Sequence, residues 1–211
     1  MRIRINSGLG DAVWFLPFAV ELSRKGQLEI LGNRYSADVC ALANLQNVSH
    51  DPSQGVMNPP PPPPPGATVA RIRRYGEKNY REIYSEATGC AGHLELTWAA
   101  LGVWPETPGK SLLLLDAPRL SGLGAATYTP NINDFNAELL RVGGQYETIA
   151  PVGHFATLGE LFARVAGASA GIGQIGFLTA LCYLFDKPFY AVRANNEPDE
   201  KFNARKKVVC L

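Results

Sequence analysis

Cysteine, histidine and net charge are all scarce in this chain, and each shortage closes off a class of protein. Cys40, Cys90, Cys182 and Cys210 are widely scattered. With no CxxC pair they offer neither a disulfide scaffold nor the ligand spacing of a zinc site, and no metal is expected. Cys40 and Cys182 fall inside apolar helical stretches and read as small core residues. A formal charge of +1 excludes nucleic acid held by a global field and leaves only a local patch for such a partner. The chain opens on a charged strand rather than a basic region followed by an apolar one, so no signal peptide is expected. Its longest apolar stretch, residues 175–192, is broken by Asp186-Lys187-Pro188 and is too short to span a bilayer. Cys210 stands one residue from the end, the wrong place for prenylation. There is no GxxxxGK followed by Ser or Thr, which excludes a P-loop nucleotide hydrolase. A cytoplasmic, reducing location is the resulting expectation.

What remains is an ordinary soluble composition, 46% hydrophobic over 211 residues, enough for one medium domain or two small ones. Residues 2–6 read as a strand, 12–25 as a helix, 27–31 as a strand and 36–44 as a helix, with a third strand starting at Val48. Strand alternating with helix over short connections is the pattern of a parallel sheet covered on both faces. Residues 59–65 are seven consecutive prolines, which cannot enter a helix or a central strand. They read as a stiff loop at residues 52–66, with a ligand for a proline-binding module as the other reading.

Residues 67–74 follow as an extended segment, and 80–102 as helix broken near Gly89 and Gly92. Trp104-Pro105 and Pro108-Gly109 mark a break, giving an N-terminal lobe of residues 1–108 and a C-terminal lobe of residues 109–211. In the second lobe the leucines of residues 111–116 fit a buried parallel strand. Alternation then resumes, with helices at 134–142, 158–166 and 176–185 and strands at 146–150, 170–172 and 189–192.

Gly8-Leu9-Gly10-Asp11, between the first strand and the first helix, is the most informative motif. Two glycines let the backbone pass close to a ligand, and the helix start behind them leaves N–H groups free. Asp11 stands where a helix cap belongs, yet also where open α/β folds keep their chemistry, beyond the carboxyl ends of the strands. In the second lobe Gly173, Gln174, Ile175 and Gly176 open a helix whose N-terminus can receive phosphate oxygens, with Gln174 able to hydrogen-bond a ribose or base. His154, in a loop before a helix, is the best placed of three scattered histidines. Arg71, Arg73, Arg74, Lys78 and Arg81 interleave with Tyr75, Tyr80 and Tyr84. They fit either a grip on an acidic glycan or a nucleic-acid backbone, or a solvated face neutralised by Glu77, Glu82 and Glu86. Lys201, Arg205, Lys206 and Lys207 read as a solvated tail.

Three stretches together resemble the ADP-heptose:lipopolysaccharide heptosyltransferases. They are Ser7-Gly8-Leu9-Gly10-Asp11 with Leu16-Pro17, then Asn44-Leu45-Gln46-Asn47-Val48, and in the second lobe Thr157-Leu158-Gly159-Glu160-Leu161 running on through Ala168 to Gly173 and Asp186-Lys187-Pro188. The resemblance covers about half the chain, at both ends and in order. It implies a GT-B glycosyltransferase of α/β class, two small Rossmann-like lobes with parallel sheets facing a cleft, whose metal-independent reaction inverts the anomeric centre. One departure is plain: the turn that in the family reads Asp-Thr-Gly reads Gln174-Ile175-Gly176 here, with no following histidine.

On this resemblance Asp11 is the general base, with Gly8, Leu9 and Gly10 on the acceptor side. Gly173, Gln174, Ile175, Gly176 and His154 lie on the donor side; from the charge cluster alone, and not from the resemblance, Arg71, Arg73 and Arg74 are the candidate contacts to an acidic acceptor. The partners are a nucleotide-diphosphate sugar, as co-substrate rather than cofactor, and a glycan or other hydroxyl acceptor. A modified DNA base is the less favoured acceptor, and a homo-oligomer would complete so short a pair of lobes. The alternative is a non-catalytic descendant that binds a nucleotide or a protein. A single-lobe dehydrogenase fits poorly, since Gly8-Leu9-Gly10 lacks the third glycine of the dinucleotide fingerprint.

Overall fold

The computed structural model describes residues 1–5, 8–32, 34–51, 62, 64–69, 78–106, 110–114, 132–142, 146–149, 157–195 and 197–206. Two compact units divide at Val103 and Trp104. The first unit runs β1 (Arg2–Arg4), α1 (Leu9–Lys25), β2 (Leu28–Leu31), α2 (Arg34–Leu42), β3 (Val48–Asp51), β4 (Thr68–Val69), α3 (Tyr80–Thr88) and α4 (Leu94–Leu101). The second runs β5 (Lys110–Leu114), α5 (Ile132–Val142), β6 (Tyr146–Ile149), α6 (Leu158–Ala166), β7 (Ala168–Gly173), α7 (Phe177–Leu184), β8 (Phe189–Ala191) and α8 (Asp199–Lys206). Each unit holds a four-stranded sheet, ordered β3-β2-β1-β4 and β6-β5-β7-β8, and every pairing is parallel. The protein is α/β with parallel sheets. Among the described residues no helix is long and apolar enough to cross a membrane.

In both sheets the order reverses once. From β1 the chain moves to β2 and β3 on one side, and β4 returns to the other. From β5 it moves to β6, and β7 and β8 return to the opposite side. The crevice beside such a reversal, at the carboxyl ends of the strands, is where open α/β sheets bind ligands. The turn into α1 leaves β1 at the first reversal, and the turn into α7 leaves β7 at the second.

The helix α1 is the core of the first unit. It packs against α2, α3, α4 and β2, and Phe15, Leu16 and Phe18 are at most 1% exposed. Burying each such side chain contributes about 1.5–3 kcal/mol, which outweighs the backbone hydrogen bond to Val13 that Pro17 cannot make inside the helix. In the second unit Phe162, Leu181 and Phe185 fill the space between α6 and α7, with the Phe162 and Phe185 rings edge to face. Gly171 lets β7 and α7 close up, because a Cβ there would lie 2.5 Å from Cys182 Sγ and 3.1 Å from Phe189 Cδ2.

Three expectations change on contact with the structure. The first helix begins at Leu9, so Gly8 is its N-cap and Asp11 is a first-turn residue rather than the cap. The polar stretch from Asp199 forms a helix, α8, with Phe202 as its buried residue, where a solvated tail was expected. Two aromatic members of the basic stretch, Tyr80 and Tyr84, are not free platforms; Tyr75 lies outside the described residues. Tyr84 is fully buried between Phe15 and Phe18, and the Tyr80 ring stacks on Trp14 at 4.9 Å. Of the acidic neighbours in that stretch, Glu86 pairs with Lys78, while Glu82 caps its own helix through the Asn79 N–H.

Candidate functional site

The turn from β1 into α1 gathers the first site. Gly8 has extended backbone, φ −92°, that any residue adopts. Its distinction is space, because a Cβ would come within 3.2 Å of Asp11 Oδ2. The Gly8 N–H donates to that same oxygen at 3.1 Å, so the carboxylate folds back over the start of its own helix, satisfying one of the donors a helix leaves free. Burial raises the Asp11 carboxyl above its ordinary value, and the Gly8 N–H pulls it only part of the way back. A carboxylate held this way is a stronger base than one in water. Below it, the fully buried Tyr84 hydroxyl lies 3.4 Å from the Asp11 carbonyl oxygen, the long end of hydrogen-bond range. Burial is also the main cause that drives the Tyr84 phenol upward, followed by the Asp11 charge. Leu9 is 4% exposed and belongs to the core, so only its backbone belongs to the turn.

The turn from β7 into α7 repeats the device. Gly173 is buried at φ +153°, in the left-handed range that favours glycine. Gln174 and Ile175 are half-buried, and Gly176 is exposed as the N-cap. The Gly176 N–H donates to Thr179 Oγ1 at 3.1 Å, with Thr179 in the same helical position that Asp11 holds in α1. The first turn of α7 carries no acidic residue. Beside this turn, Val192 N–H donates to Gly173 O at 2.7 Å, which brings the end of β8 and Arg193 alongside. The Arg193 N–H is held by Asp134 Oδ2 at 3.0 Å, and its guanidinium pairs with the exposed Asp199. Lys187, 7% exposed, donates to Glu106 O at 2.8 Å and so anchors the start of the second unit; burial lowers its ammonium below the ordinary value.

The expected site residues therefore divide. Gly8, Leu9, Gly10 and Asp11 share one turn, and Gly173, Gln174, Ile175 and Gly176 share another. His154, Arg71, Arg73 and Arg74 lie outside the described residues. Two participants were missed, Tyr84 and Thr179. The second had a signal in plain view, since Gly176-Phe177-Leu178-Thr179 repeats the glycine-to-oxygen spacing of Gly8-Leu9-Gly10-Asp11.

Solved structures supply the comparison for this geometry. The chain is similar to the bacterial iron-containing dodecameric glycosyltransferase TibC from enterotoxigenic E. coli H10407, at 15% identity and a TM-score of 0.52. It is also similar to the dodecameric iron-containing heptosyltransferase TibC in complex with ADP-D-beta-D-heptose, at 13% identity and a TM-score of 0.50. The fold is heptosyltransferase-like. Each likeness covers 89% of this chain and 56% of the neighbour, so the chain spans little more than half the neighbour's length. No protein-family profile and no curated protein sequence matches it. Among the described residues no group of three or more His, Cys, Asp or Glu could hold a metal ion, so the iron named for those neighbours finds no ligand set among them.

Proposed function

We propose that this chain is a glycosyltransferase of the heptosyltransferase type, moving a sugar from a nucleotide-diphosphate donor to an acceptor hydroxyl with inversion and without a metal. The observation that carries the reading is Asp11, a carboxylate made more basic by burial, at the switch point of a heptosyltransferase-like fold. In the reaction the Asp11 carboxylate accepts the proton of the acceptor hydroxyl as its oxygen attacks the anomeric carbon. The bond from that carbon to the diphosphate breaks on the opposite face, which inverts the centre. The charge that develops on a leaving diphosphate calls for N–H donors, and the start of α7 is the candidate in the second unit, a helix end with no carboxylate in its first turn. Gln174 itself can offer hydrogen bonds to that group but no charge.

The acceptor in this reading is a glycan, and the site of action the cytoplasm. The dodecameric neighbours favour an assembly of several copies of this chain. The test is a thermal-shift screen of the purified protein against ADP-, UDP- and GDP-sugars and the free nucleotides, ADP-sugars first because a neighbour holds ADP-D-beta-D-heptose. A ligand that binds only the folded state raises the melting temperature. A shift with one nucleotide family supports the donor site. No shift with any of them contradicts it, and favours the second reading, a binding module that keeps the fold without the donor, for which the uncharged Gln174-Ile175 turn speaks.

A further inference from the structure

The last turn of α1 meets the α3–α4 connection in a cluster that glycosyl transfer does not use. Lys25 Nζ donates to Glu21 Oε1 at 2.9 Å and lies 3.2 Å from Cys90 Sγ, although 65 residues separate the two in sequence. The other oxygen of Glu21 accepts the Ala91 and Gly92 N–H groups at 3.2 and 3.1 Å. Cys90 N–H donates to Thr88 Oγ1 at 3.2 Å, and the thiol points to Thr88 O at 3.7 Å. Gly92 sits at φ +67° with room for no more than its hydrogen, since a Cβ would lie 2.7 Å from Phe18 Cζ. Glu21 thus binds both sides of the contact, and the nitrogen and sulfur touch before any reaction begins. Cys90 is 2% exposed, while the Lys25 side chain on top of it is 57% exposed. Burial pushes Cys40 and Cys182 up to about 12, which keeps them as unreactive thiols.

We propose that Lys25 and Cys90 are a modification site, closing into a reversible sulfenamide cross-link when hydrogen peroxide oxidises Cys90. In the first step the thiol becomes a sulfenic acid: the sulfur gives up two electrons and peroxide is reduced to water. Lys25 passes one proton to Glu21 and attacks the sulfur through Nζ. The S–N bond forms as the S–O bond breaks, and the departing hydroxide takes a second proton from the nitrogen and leaves as water. One thiol, one amine and one peroxide give one S–N link and two waters. A small thiol undoes the link by attacking the sulfur, releasing the amine; a second thiol then frees Cys90 and leaves as a disulfide. The link ties the C-terminal end of α1 to the α3–α4 connection and removes freedom from the unfolded chain, as a disulfide does.

The test treats the full chain with hydrogen peroxide and reads intact mass, peptide map and melting temperature. The expected product has lost two hydrogens, carries the Lys25 and Cys90 peptides as one linked species and melts higher, with all three changes reversed by dithiothreitol. Lys25→Arg keeps the charge beside Glu21 but removes the nucleophilic amine. In that variant Cys90 stops at a sulfenic acid that dimedone traps, and no link forms. The proposal is overturned if oxidised wild-type Cys90 carries oxygen without joining Lys25, if the linked species persists in Lys25→Arg, or if Cys90 survives peroxide that fully oxidises a free cysteine peptide in the same tube.

Discussion

In the unit Met1–Val103 the N–H of the N-cap glycine meets a carboxylate; in the unit Trp104–Leu211 it meets a hydroxyl, at 3.1 Å in both. The two turns leave their sheets at the same topological place and enter their helices with the same glycine-to-oxygen spacing, although their N-cap glycines differ in φ, −92° at Gly8 and −176° at Gly176. The larger difference is charge. A carboxylate over the start of α1 offsets the positive end of that helix and is the base of the proposed reaction. A hydroxyl over the start of α7 satisfies the same kind of donor and leaves the positive end open to an anion. On the proposed reading one backbone device serves a base in one unit and an anion site in the other, and the difference rests on the third residue of each helix.

The largest expected effect comes from erasing the charge that separates the turns. Asp11→Asn keeps an acceptor for the Gly8 N–H and removes the base, so turnover falls about 10²–10⁴-fold while nucleotide binding persists. Stability moves the other way. The folded state raises the Asp11 carboxyl, so it holds the proton more tightly than the unfolded chain, and stability declines as pH climbs from the ordinary carboxylate range through the raised value. At neutral pH the variant therefore melts no lower than the wild type, and any gain vanishes below the ordinary carboxylate range. A melting temperature that drops at neutral pH would mark Asp11 as a plain cap.

Next comes Gly171→Ala, which forces a methyl against Cys182 Sγ at 2.5 Å and destabilises by about 1–3 kcal/mol, read from the urea midpoint. Loss confined to the second unit sharpens the contrast by showing how tightly β7 and its turn are held. Thr179→Asp gives the second turn the chemistry of the first. Nucleotide-diphosphate affinity falls about tenfold by calorimetry, about 1.4 kcal/mol, because a carboxylate now occupies the anion's end of α7. Unchanged affinity would break the comparison. The smallest effect belongs to Gly8→Ala, whose methyl at 3.2 Å nudges Asp11 Oδ2. It costs under about 1 kcal/mol of stability and lowers kcat more than it changes KM.

Much of this was legible in the residues. Alternating apolar runs announced the parallel sheets, and Gly89 and Gly92 marked the break between α3 and α4, where the structure has left-handed backbone. The start of α1 was not legible, because Gly8-Leu9-Gly10 has the propensity of a loop and becomes helical only when Leu9 is buried and Asp11 folds back on Gly8. The helix α8 was hidden by having too few apolar residues to show a period. Tyr84 misled in the opposite direction. Among arginines it reads as a surface stacking residue, yet its ring completes the core against Phe15 and Phe18, and nothing local in sequence announces a partner 73 residues away.

The most direct test measures release of nucleoside diphosphate from the nucleotide-sugar that shifts the melting curve, with wild type and Asp11→Asn side by side over a range of pH. The account predicts release by the wild type that rises with pH through an apparent pKa above the ordinary aspartate value, and release by the variant that is at least a hundredfold slower at undiminished donor affinity. Equal release by the two proteins would contradict it.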